Sequence, residues 1–382
     1  MKTKNLIIFA ILSILMVFAS FSEYGTTCQA QETELYPVRV NGKEGYIDAT
    51  GRVVIKPQFA QVGKNFSEGF AIVEIGGKFG YIDKTGRLVI DAQFDSAGDF
   101  HEGFANVQVG KKWGYIDMSG RMVINSQFDE AHCFSEGLAR VRIGDWNNGK
   151  WGFINKAGQY VINPMFDWAT QDFSEGLACS LVGEFYTGKH GFIDKTGKYY
   201  FDLPFIYVSS FSEGLACVKV GDNEGFIDKT GRFVFYCQYD TPRDFKEGMS
   251  RVSIIKNDFT NGKPIRISEK HGFIDRTGRC VISPQFDEAN DFSEGLACVR
   301  IGGKYGVGRY GFIDKSGTYT INPQFEYADS FKGGIAPVVN DGRFLYIDKR
   351  GNIIWSNAEV PQYITNSIAS IEMVYNALYS RQ

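Results

Sequence analysis

The chain has 382 residues, enough for two or three ordinary domains or for one array of repeats. Its net charge is only −3 and its isoelectric point is near 5.9, which argues against a nucleic-acid-binding protein because such proteins carry a clustered basic surface. Aromatic residues make up 15% of the chain, and it has 44 glycines but only 10 prolines. Strand-forming aromatics and turn-forming glycines together predict an all-β protein.

The first thirty residues have the composition of a secretory signal peptide. Two lysines precede an apolar run over 6–21, and a polar stretch then ends at the small residue Ala30, after which we expect cleavage. The run is short for a membrane span. An uncleaved anchor is nevertheless one alternative, and a lipid-modified Cys28 is another. The residues before Cys28 fit the lipoprotein pattern poorly. We therefore expect a signal peptide over 1–30 and an exported protein of the periplasm, cell envelope or exterior, which attaches to a membrane only through such an anchor.

One sequence pattern recurs about nine times between residues 31 and 355, at intervals of 34 to 47 residues. Each copy reads Gly-Tyr/Phe-Ile-Asp, then a glycine three residues later, an apolar triplet, an aromatic residue, Phe-x-Glu-Gly and Leu-Ala-x-Val. The first glycine of the copies stands at Gly45, Gly80, Gly114, Gly152, Gly191, Gly225, Gly272 and Gly311, with Leu345 in its place in the ninth. We interpret 31–355 as one repeat domain.

Each copy predicts three short antiparallel strands. The first is Leu-Ala-x-Val, the second is Gly-Phe-Ile-Asp, and the third contains the apolar triplet, which we expect to be covered on both faces. An Asp-x-x-Gly turn joins the second strand to the third, because Asp hydrogen-bonds turn backbone and Gly accepts positive φ. A catalytic acid is normally unique, so the repetition indicates turn formers and not an acid–base pair. The residues assigned to such turns include Asp83, Gly86, Asp117, Gly120, Asp194 and Gly197.

The glutamate of Phe-x-Glu-Gly recurs seven times, and Gly333 replaces it in the eighth block. We expect it to accept hydrogen bonds from the backbone of a bend, and a row of carboxylates that binds cations is the alternative. The seven residues are Glu68, Glu102, Glu136, Glu175, Glu213, Glu247 and Glu294. Zinc-ligand spacing and phosphate-binding glycine loops are missing from the sequence, so we expect neither a metal site nor a cofactor.

Two arrangements of the nine units compete, an open curved array and a closed β-propeller. We favour the open array because each end of the chain supplies a whole three-stranded unit, over 35–55 and 335–355, whereas propellers often close a blade with strands from both ends.

A C-terminal tail over 356–382 follows the repeat domain. Pro361 introduces an amphipathic helix there that either covers the last unit or docks a partner. Its apolar positions are Ile364, Ile368, Ile371, Val374 and Leu378.

These motifs resemble the WG repeat, a bacterial β-strand repeat named for a Trp-Gly pair, and the resemblance covers residues 35–355. The pair stands at Trp113-Gly114 and Trp151-Gly152. The tryptophan position otherwise holds Glu44, Phe79, His190, Glu224, His271, Tyr310 and Phe344. Resemblance to this family implies an interaction or envelope-associated role without a catalytic centre.

Four joins between the first and second strands are longer than the others, and we expect function there because insertions supply specificity to a repeated scaffold. Exposed aromatic residues beside Arg or Lys suit the recognition of a protein, peptide or glycan, and the alternative is that these aromatics fold back on the array. The candidate binding residues are Trp146, Phe185, Tyr186, Phe259, Lys263, Arg266, Tyr305 and Arg309.

Cysteine residues occupy one further repeated position, after Leu-Ala. Cys179, Cys217 and Cys298 share this position with Arg140 and Arg251, so we expect it to be partly exposed. A bridge between Cys179 and Cys217 is disfavoured, since packed sheets stand about 10 Å apart and a disulfide needs Cα atoms within about 7 Å.

The function expected from the sequence is a non-catalytic repeat scaffold that binds a protein or peptide partner at the bacterial cell envelope or outside the cell. A glycan-binding module and a hydrolase acting in a groove of the array are the alternatives. No unique set of acid, base and nucleophile stands out, so we expect no enzyme.

Overall fold

The structure is a computed structural model that describes residues 34–145, 147–169, 171–183, 188–201, 204–260, 263–303 and 307–369. In these residues the chain forms 33 strands in eight antiparallel sheets, followed by one short helix over 362–369. This described part holds no helix with both the length and the apolar character that a membrane crossing requires. The all-β prediction and the C-terminal helix are confirmed.

The strands group into nine repeat units. Units 1 to 3 comprise β1 Leu35–Val40, β2 Lys43–Asp48, β3 Val53–Phe59, β4 Gln61–Val62, β5 Phe70–Ile75, β6 Lys78–Asp83, β7 Leu88–Phe94, β8 Ser96–Ala97, β9 Phe104–Val109, β10 Lys112–Asp117 and β11 Met122–Phe128. Units 4 to 6 comprise β12 Glu130–Ser135, β13 Leu138–Ile143, β14 Lys150–Asn155, β15 Tyr160–Phe166, β16 Trp168–Ala169, β17 Ala178–Val182, β18 Lys189–Ile193, β19 Phe205–Val208, β20 Ala216–Val220, β21 Asn223–Ile227 and β22 Phe233–Tyr236. Units 7 to 9 comprise β23 Met249–Thr260, β24 Lys263–Asp275, β25 Cys280–Phe286, β26 Glu288–Ala289, β27 Ala297–Ile301, β28 Arg309–Ile313, β29 Tyr319–Phe325, β30 Tyr327–Ala328, β31 Ile335–Asn340, β32 Arg343–Asp348 and β33 Ile353–Asn357. Units 5 and 6 share β19 and so merge into one seven-stranded sheet.

A typical unit is a meander of four strands, as in the order β4-β5-β6-β7. A short inner strand pairs with the first long strand, a hairpin leads to the second, and the outer strand follows the Asp-x-x-Gly turn. The second and outer strands shift register beside the repeated glycine, between Phe79 and Tyr81. A Cβ atom at Gly80 would lie 2.5 Å from the carbonyl oxygen of Ile90, so only glycine lets the two backbones approach this closely.

The nine units close into a ring. Nine hydrophobic clusters each combine residues of two neighbouring units, and one of them joins unit 9 to unit 1 through buried Tyr36, Val38 and Tyr346. The turn glycines pack against the outer strand of the preceding unit, as Gly86 does against Ile55. The same contact occurs where the ring closes, because a Cβ atom at Gly51 of unit 1 would lie 2.3 Å from the carbonyl oxygen of Ile354 in unit 9. Of the two arrangements that the sequence left open, the structure has the closed β-propeller, which was the alternative, and not the open array that we favoured.

The C-terminal tail explains how a chain with whole units at both ends can close. In the described residues unit 1 has no short inner strand of its own, and tail residues make the contacts that this strand makes elsewhere. In unit 9, the N–H of Glu326 donates to the Val339 carbonyl and the Glu326 carboxylate accepts from the N–H of Gly342 at 3.3 Å. In unit 1, Asn357 Nδ2 donates to the Arg39 carbonyl, and the Glu359 carboxylate accepts from the N–H of Gly42 at 2.7 Å. Arg39 and Gly42 stand at the positions of Val339 and Gly342, so the tail takes the place of an inner strand in unit 1.

The helix completes this seam between units 9 and 1. Ile364 is fully buried in the cluster that holds Tyr36 and Tyr346, and the N–H of Gln362 donates to the Glu44 carboxylate at 2.7 Å. The helix thus packs on the last unit, as predicted, but it also packs on unit 1 and does not cover an open edge. The predicted helix positions after 369 lie outside the described residues.

Two predictions about burial are wrong. In the outer strand only part of the apolar triplet is covered, since Val89 is 39% exposed while Ile90 is buried, because this strand is the free outer edge of its sheet. Conversely, the cysteine position is buried, with Cys179 and Cys217 at most 1% exposed. Arginine is accepted there because Arg140 forms an ion pair with an aspartate and stacks on a tryptophan ring. None of the six described cysteines forms a disulfide.

Candidate functional site

The propeller has two faces that differ in their variability. One face, the turn face, carries the Asp-x-x-Gly turns and the Phe-x-Glu-Gly bends. The other, the hairpin face, carries the hairpins between the first and second long strands of each unit. Sequence length varies on the hairpin face and hardly at all on the turn face. The groups that each face leaves available therefore define the candidate site.

The turn face uses its repeated aspartates locally. Asp117 Oδ1 accepts hydrogen bonds from the N–H groups of Ser119 at 3.0 Å and Arg121 at 3.1 Å, and Gly120 has φ of 80°. The hydrogen bond from the Ser119 hydroxyl, together with these N–H groups, lowers the pKa of Asp117. Arg121 also pairs with Asp117 Oδ2 at 3.0 Å, so this aspartate and this arginine close one turn and do not form an acid–base pair. Equivalent turns are formed by Asp83 with Gly86 and by Asp194 with Gly197.

The repeated glutamates join neighbouring units. Glu136 has a left-handed backbone with φ of 52°, and its carboxylate accepts from the N–H of Gly176 in the next unit at 3.0 Å. Lys195 of that unit contacts the same carboxylate at 3.2 Å and donates to the Glu136 carbonyl. We expected a bend as the partner, and the bend belongs to the following unit. The other glutamate-to-glycine pairs are Glu68 with Gly103, Glu102 with Gly137, Glu175 with Gly214, Glu213 with Gly248, Glu247 with Gly295 and Glu294 with Gly334.

These contacts leave the carboxylate row engaged within the protein. Across the described residues, no group of three or more His, Cys, Asp and Glu side chains has the arrangement of a metal site. Between units 9 and 1 the glutamate contact is absent, because Gly333 stands in place of the glutamate and Ala49 in place of the lysine. There, the Tyr36 hydroxyl donates to the Gly333 carbonyl at 3.0 Å instead.

All four hairpins singled out in the sequence emerge from the hairpin face. Trp146, Phe185, Tyr186 and Tyr305 lie outside the described residues. Arg309 begins β28 and is exposed, and its Nη1 lies 3.4 Å from the carbonyl of Val307. The structure therefore places the hairpins on one face without showing their aromatic side chains together.

The longest of the four joins differs from the prediction. We expected an exposed loop between the first and second strands of unit 7, but β23 and β24 continue as one ladder from Met249 paired with Asp275 to Thr260 paired with Lys263. Phe259 lies on β23, and Lys263 and Arg266 lie on β24, and the structure does not describe their side chains.

Exposed aliphatic side chains form a second regular feature of the hairpin face, which sequence reasoning missed. They stand two residues after the buried fourth residue of the Leu-Ala-x-Val segment, which is Ser180 in unit 5, where alternation along the strand could have revealed them. These hairpin-face aliphatics, each between 38% and 48% exposed, are Ile75, Val109, Ile143, Val182, Ile254 and Ile301. Their cross-strand neighbours are Lys78, Lys112, Lys150, Lys189, Lys270 and Arg309.

Two cavities break the regularity of the ring. The seam cavity, of about 390 Å³, contains Tyr36, Lys64, Asp329 and Lys332. Its polar groups bind one another, since Lys64 pairs with Asp329 at 2.8 Å and Lys332 donates to Asn65 at 3.0 Å. This cavity therefore results from ring closure, and these polar side chains are already bound within the protein.

The second cavity, of about 380 Å³, lies between units 6 and 7, and we call it the 6/7 cleft. It is lined by Tyr207, Glu224, Asp240, Thr241, Pro242, Arg243 and Ile255. It exists because the inner strand of unit 7 is reduced to a single bridge between Asp240 and Ser253. Partial burial raises the pKa of Glu224, an effect that Lys219 opposes and Asp240 reinforces.

Comparisons with known proteins address the fold and the family. A eukaryotic initiation factor of known structure is 11% identical, with a TM-score of 0.58 over 85% of this chain and 96% of that chain. Dihydro-heme d1 dehydrogenase NirN has a TM-score of 0.43 at 10% identity over 85% of this chain and 72% of its own. A puromycin-hydrolyzing peptidase of Mycobacterium tuberculosis has a TM-score of 0.36 at 8% identity over 82% and 58%. The last two likenesses are too weak to bear on this chain. No curated protein matches it in sequence.

The family profile described as WG containing repeat matches eight segments, and these cover more than half of the chain. They are residues 45–79, 79–113, 113–145, 151–179, 191–223, 225–254, 272–305 and 310–344. The segments follow units 1 to 8 into the first strands of unit 9, which agrees with the ring of nine units. The chain belongs to the WG-repeat family.

Proposed function

We propose that this protein is a non-catalytic scaffold that binds a protein or peptide partner through the hairpin face of its propeller. A repeat propeller of this kind supports a protein-interaction scaffold in general. The observation that carries the proposal is the set of hairpin-face aliphatics, which recurs from unit to unit on the face whose loops vary in length, and variable loops on a rigid scaffold commonly carry binding residues. The cations opposite them supply the polar surroundings that such interfaces have.

The use of the acidic residues supports a binding role rather than catalysis. The repeated aspartates hold turns and the repeated glutamates hold neighbouring units together, so both sets serve the scaffold. An enzyme in a groove of the array would need an acid, base or nucleophile outside these two sets. A glycan partner would rest on the loop aromatics, most of which fall outside the described residues, and we therefore make it an outcome of the test.

The test compares two surface variants of the full chain. Ile143→Ser with Ile301→Ser alters the hairpin face at side chains that are 40% and 38% exposed. The matched control, Val123→Ser with Val281→Ser, alters the outer strands at side chains that are 38% and 37% exposed. Both proteins are used to capture partners from an envelope extract of the source cells. We expect the hairpin-face variant to lose a protein partner that the control retains.

Equal capture by both variants would contradict the proposal. A captured carbohydrate in place of a protein would favour the glycan alternative, and turnover of a captured molecule would favour the hydrolase.

We also propose that the protein acts outside the cytoplasm, at the cell envelope or beyond it. The support is the basic and apolar N-terminal sequence that ends at Ala30. Fractionation with N-terminal sequencing should find a mature chain that begins at Gln31. A cytoplasmic protein with an intact N-terminus would refute the localisation.

A further inference from the structure

Two glutamates stand at the tryptophan position of the repeat, and the structure treats them differently. Glu44 is 1% exposed, and its carboxylate accepts from the N–H of Val62 at 2.9 Å and of Gln362 at 2.7 Å. Glu224 occupies the same position in unit 6 and lines the 6/7 cleft. The described residues provide its carboxylate with neither a hydrogen bond nor an ion pair. One glutamate is therefore part of the scaffold, and the other is left available to a ligand.

The remaining walls of the cleft suit a long cationic side chain. The Asp240 carboxylate uses Oδ2 to accept from the N–H of Ile255 at 2.8 Å, and it adds a second negative charge beside Glu224. Pro242, Ile255 and the Tyr207 ring present apolar surface against which methylene groups can pack. The volume of about 380 Å³ is ample for one such side chain.

The floor of the cleft is held in an unusual conformation. Thr241 has φ of 44°, which is rare for a β-branched residue, and the other described non-glycine residues with positive φ lie in hairpin turns or in Phe-x-Glu-Gly bends. A hydrogen bond of 2.7 Å between its hydroxyl and that of Ser253 holds it there. Backbone strain of this kind concentrates at ligand sites, where it fixes the shape of a pocket before the ligand arrives.

We propose that the 6/7 cleft binds a lysine or arginine side chain of the protein partner, with Glu224 as the residue that recognises the positive charge. This inference rests on the proposed function and names the chemistry of the partner. Asp240 supplements the charge, and the aliphatic stem lies against Pro242 and Ile255. Arg243 stands in the same wall without an ion pair to either carboxylate, so its guanidinium is placed to donate to a main-chain carbonyl of the partner.

The test measures binding of single amino-acid probes to the full chain by saturation-transfer NMR. The probes are Nα-acetyl-lysine amide, Nα-acetyl-arginine amide and the uncharged Nα-acetyl-norleucine amide. We expect the two cationic probes to bind and the norleucine probe not to bind. Glu224→Gln should weaken the cationic probes about tenfold or more, since it removes a charge-assisted hydrogen bond. Asp222→Asn, which removes the same charge from the tip of the same hairpin outside the cleft, should change affinity less than about twofold.

A second variant keeps the test decisive if Glu224→Gln is poorly folded. Glu224→Phe places in the cleft a residue that the same position holds at Phe79 and Phe344, and it should abolish binding of both cationic probes. Failure of the cationic probes to bind the natural chain, or equal binding to the Glu224 variants, would overturn the inference. Because partner capture by the hairpin face is measured separately, the cleft inference can fail while the proposed scaffold function stands.

Discussion

The contact between neighbouring units offers the sharpest test of how the ring is held together. Glu136 adopts φ of 52°, a left-handed conformation that costs a non-glycine residue about 1 kcal/mol or more. The cost is offset by the hydrogen bond from Gly176 and by Lys195, and a hydrogen bond to a charged group contributes about 1.5–3 kcal/mol. The ion pair itself adds at most about 1 kcal/mol, because the two side chains are 30% and 46% exposed.

Two substitutions separate the contact from the strain. Glu136→Ala removes the carboxylate and keeps the left-handed strain, so it should lower the free energy of unfolding by about 2 kcal/mol. Glu136→Gly removes the carboxylate and also the strain, so it should be about 1 kcal/mol less destabilising than the alanine variant. Urea denaturation followed by tyrosine and tryptophan fluorescence measures both values.

The seam provides the matched control. Gly333 has φ of 57° at the position of the glutamate; in unit 1, Ala49 stands at the position of the lysine, and no Phe-x-Glu-Gly sequence precedes β1. Gly333→Glu should therefore destabilise the protein by about 1 kcal/mol, because it introduces strain without a partner. The reasoning would be refuted if the glycine variant at 136 were as destabilising as the alanine variant, or if Gly333→Glu were neutral.

Three further predictions concern the namesake glycine, a buried histidine and the seam. Gly114→Ala should destabilise by more than about 3 kcal/mol in urea denaturation, because its Cβ would lie 2.5 Å from a carbonyl oxygen, whereas Gly110→Ala has open space and should cost about 1 kcal/mol. Burial lowers the pKa of His271 to about 4 from 6.5, so the unfolded chain binds the proton first and stability falls as pH drops from 6.5 towards 4. His271→Phe should remove up to about 3 kcal/mol of this pH dependence, and an unchanged slope would contradict the assignment. Ile364→Ala should cost about 2–4 kcal/mol and speed hydrogen exchange in units 1 and 9, while the exposed Thr365→Ala should do neither.

Much of the repeat unit was predictable because its determinants are local. Asp117, Ser119 and Gly120 are within four residues of one another, and an aspartate, a hydroxyl and a glycine in that order specify the same turn wherever they occur. The glutamate of the bend was predicted to accept backbone hydrogen bonds, but its partner is 35 to 48 residues away in the chain. Sequence spacing could not reveal which unit supplied that partner.

Burial was harder to predict than strand position. The apolar triplet of the outer strand suggested coverage on both faces, yet the strand ends its sheet and Val89 remains exposed. Arg140 suggested an exposed position, yet its charge is matched by Asp172 inside an inter-unit contact. In both cases the residue type was a poor guide, since the environment was set by the neighbouring unit.

By itself the sequence determined the number of units, their three long strands, the turns between them and the family, because each is encoded within a stretch of a few tens of residues that is repeated. Only the tertiary structure decided between an open array and a closed ring. Closure depends on contacts such as that of Tyr36 with Gly333, which are 297 residues apart, and on a tail that takes the place of an inner strand in unit 1. The 6/7 cleft likewise arises where one unit departs from the repeat, and its free carboxylate is visible only when Glu224 is compared with Glu44 in place.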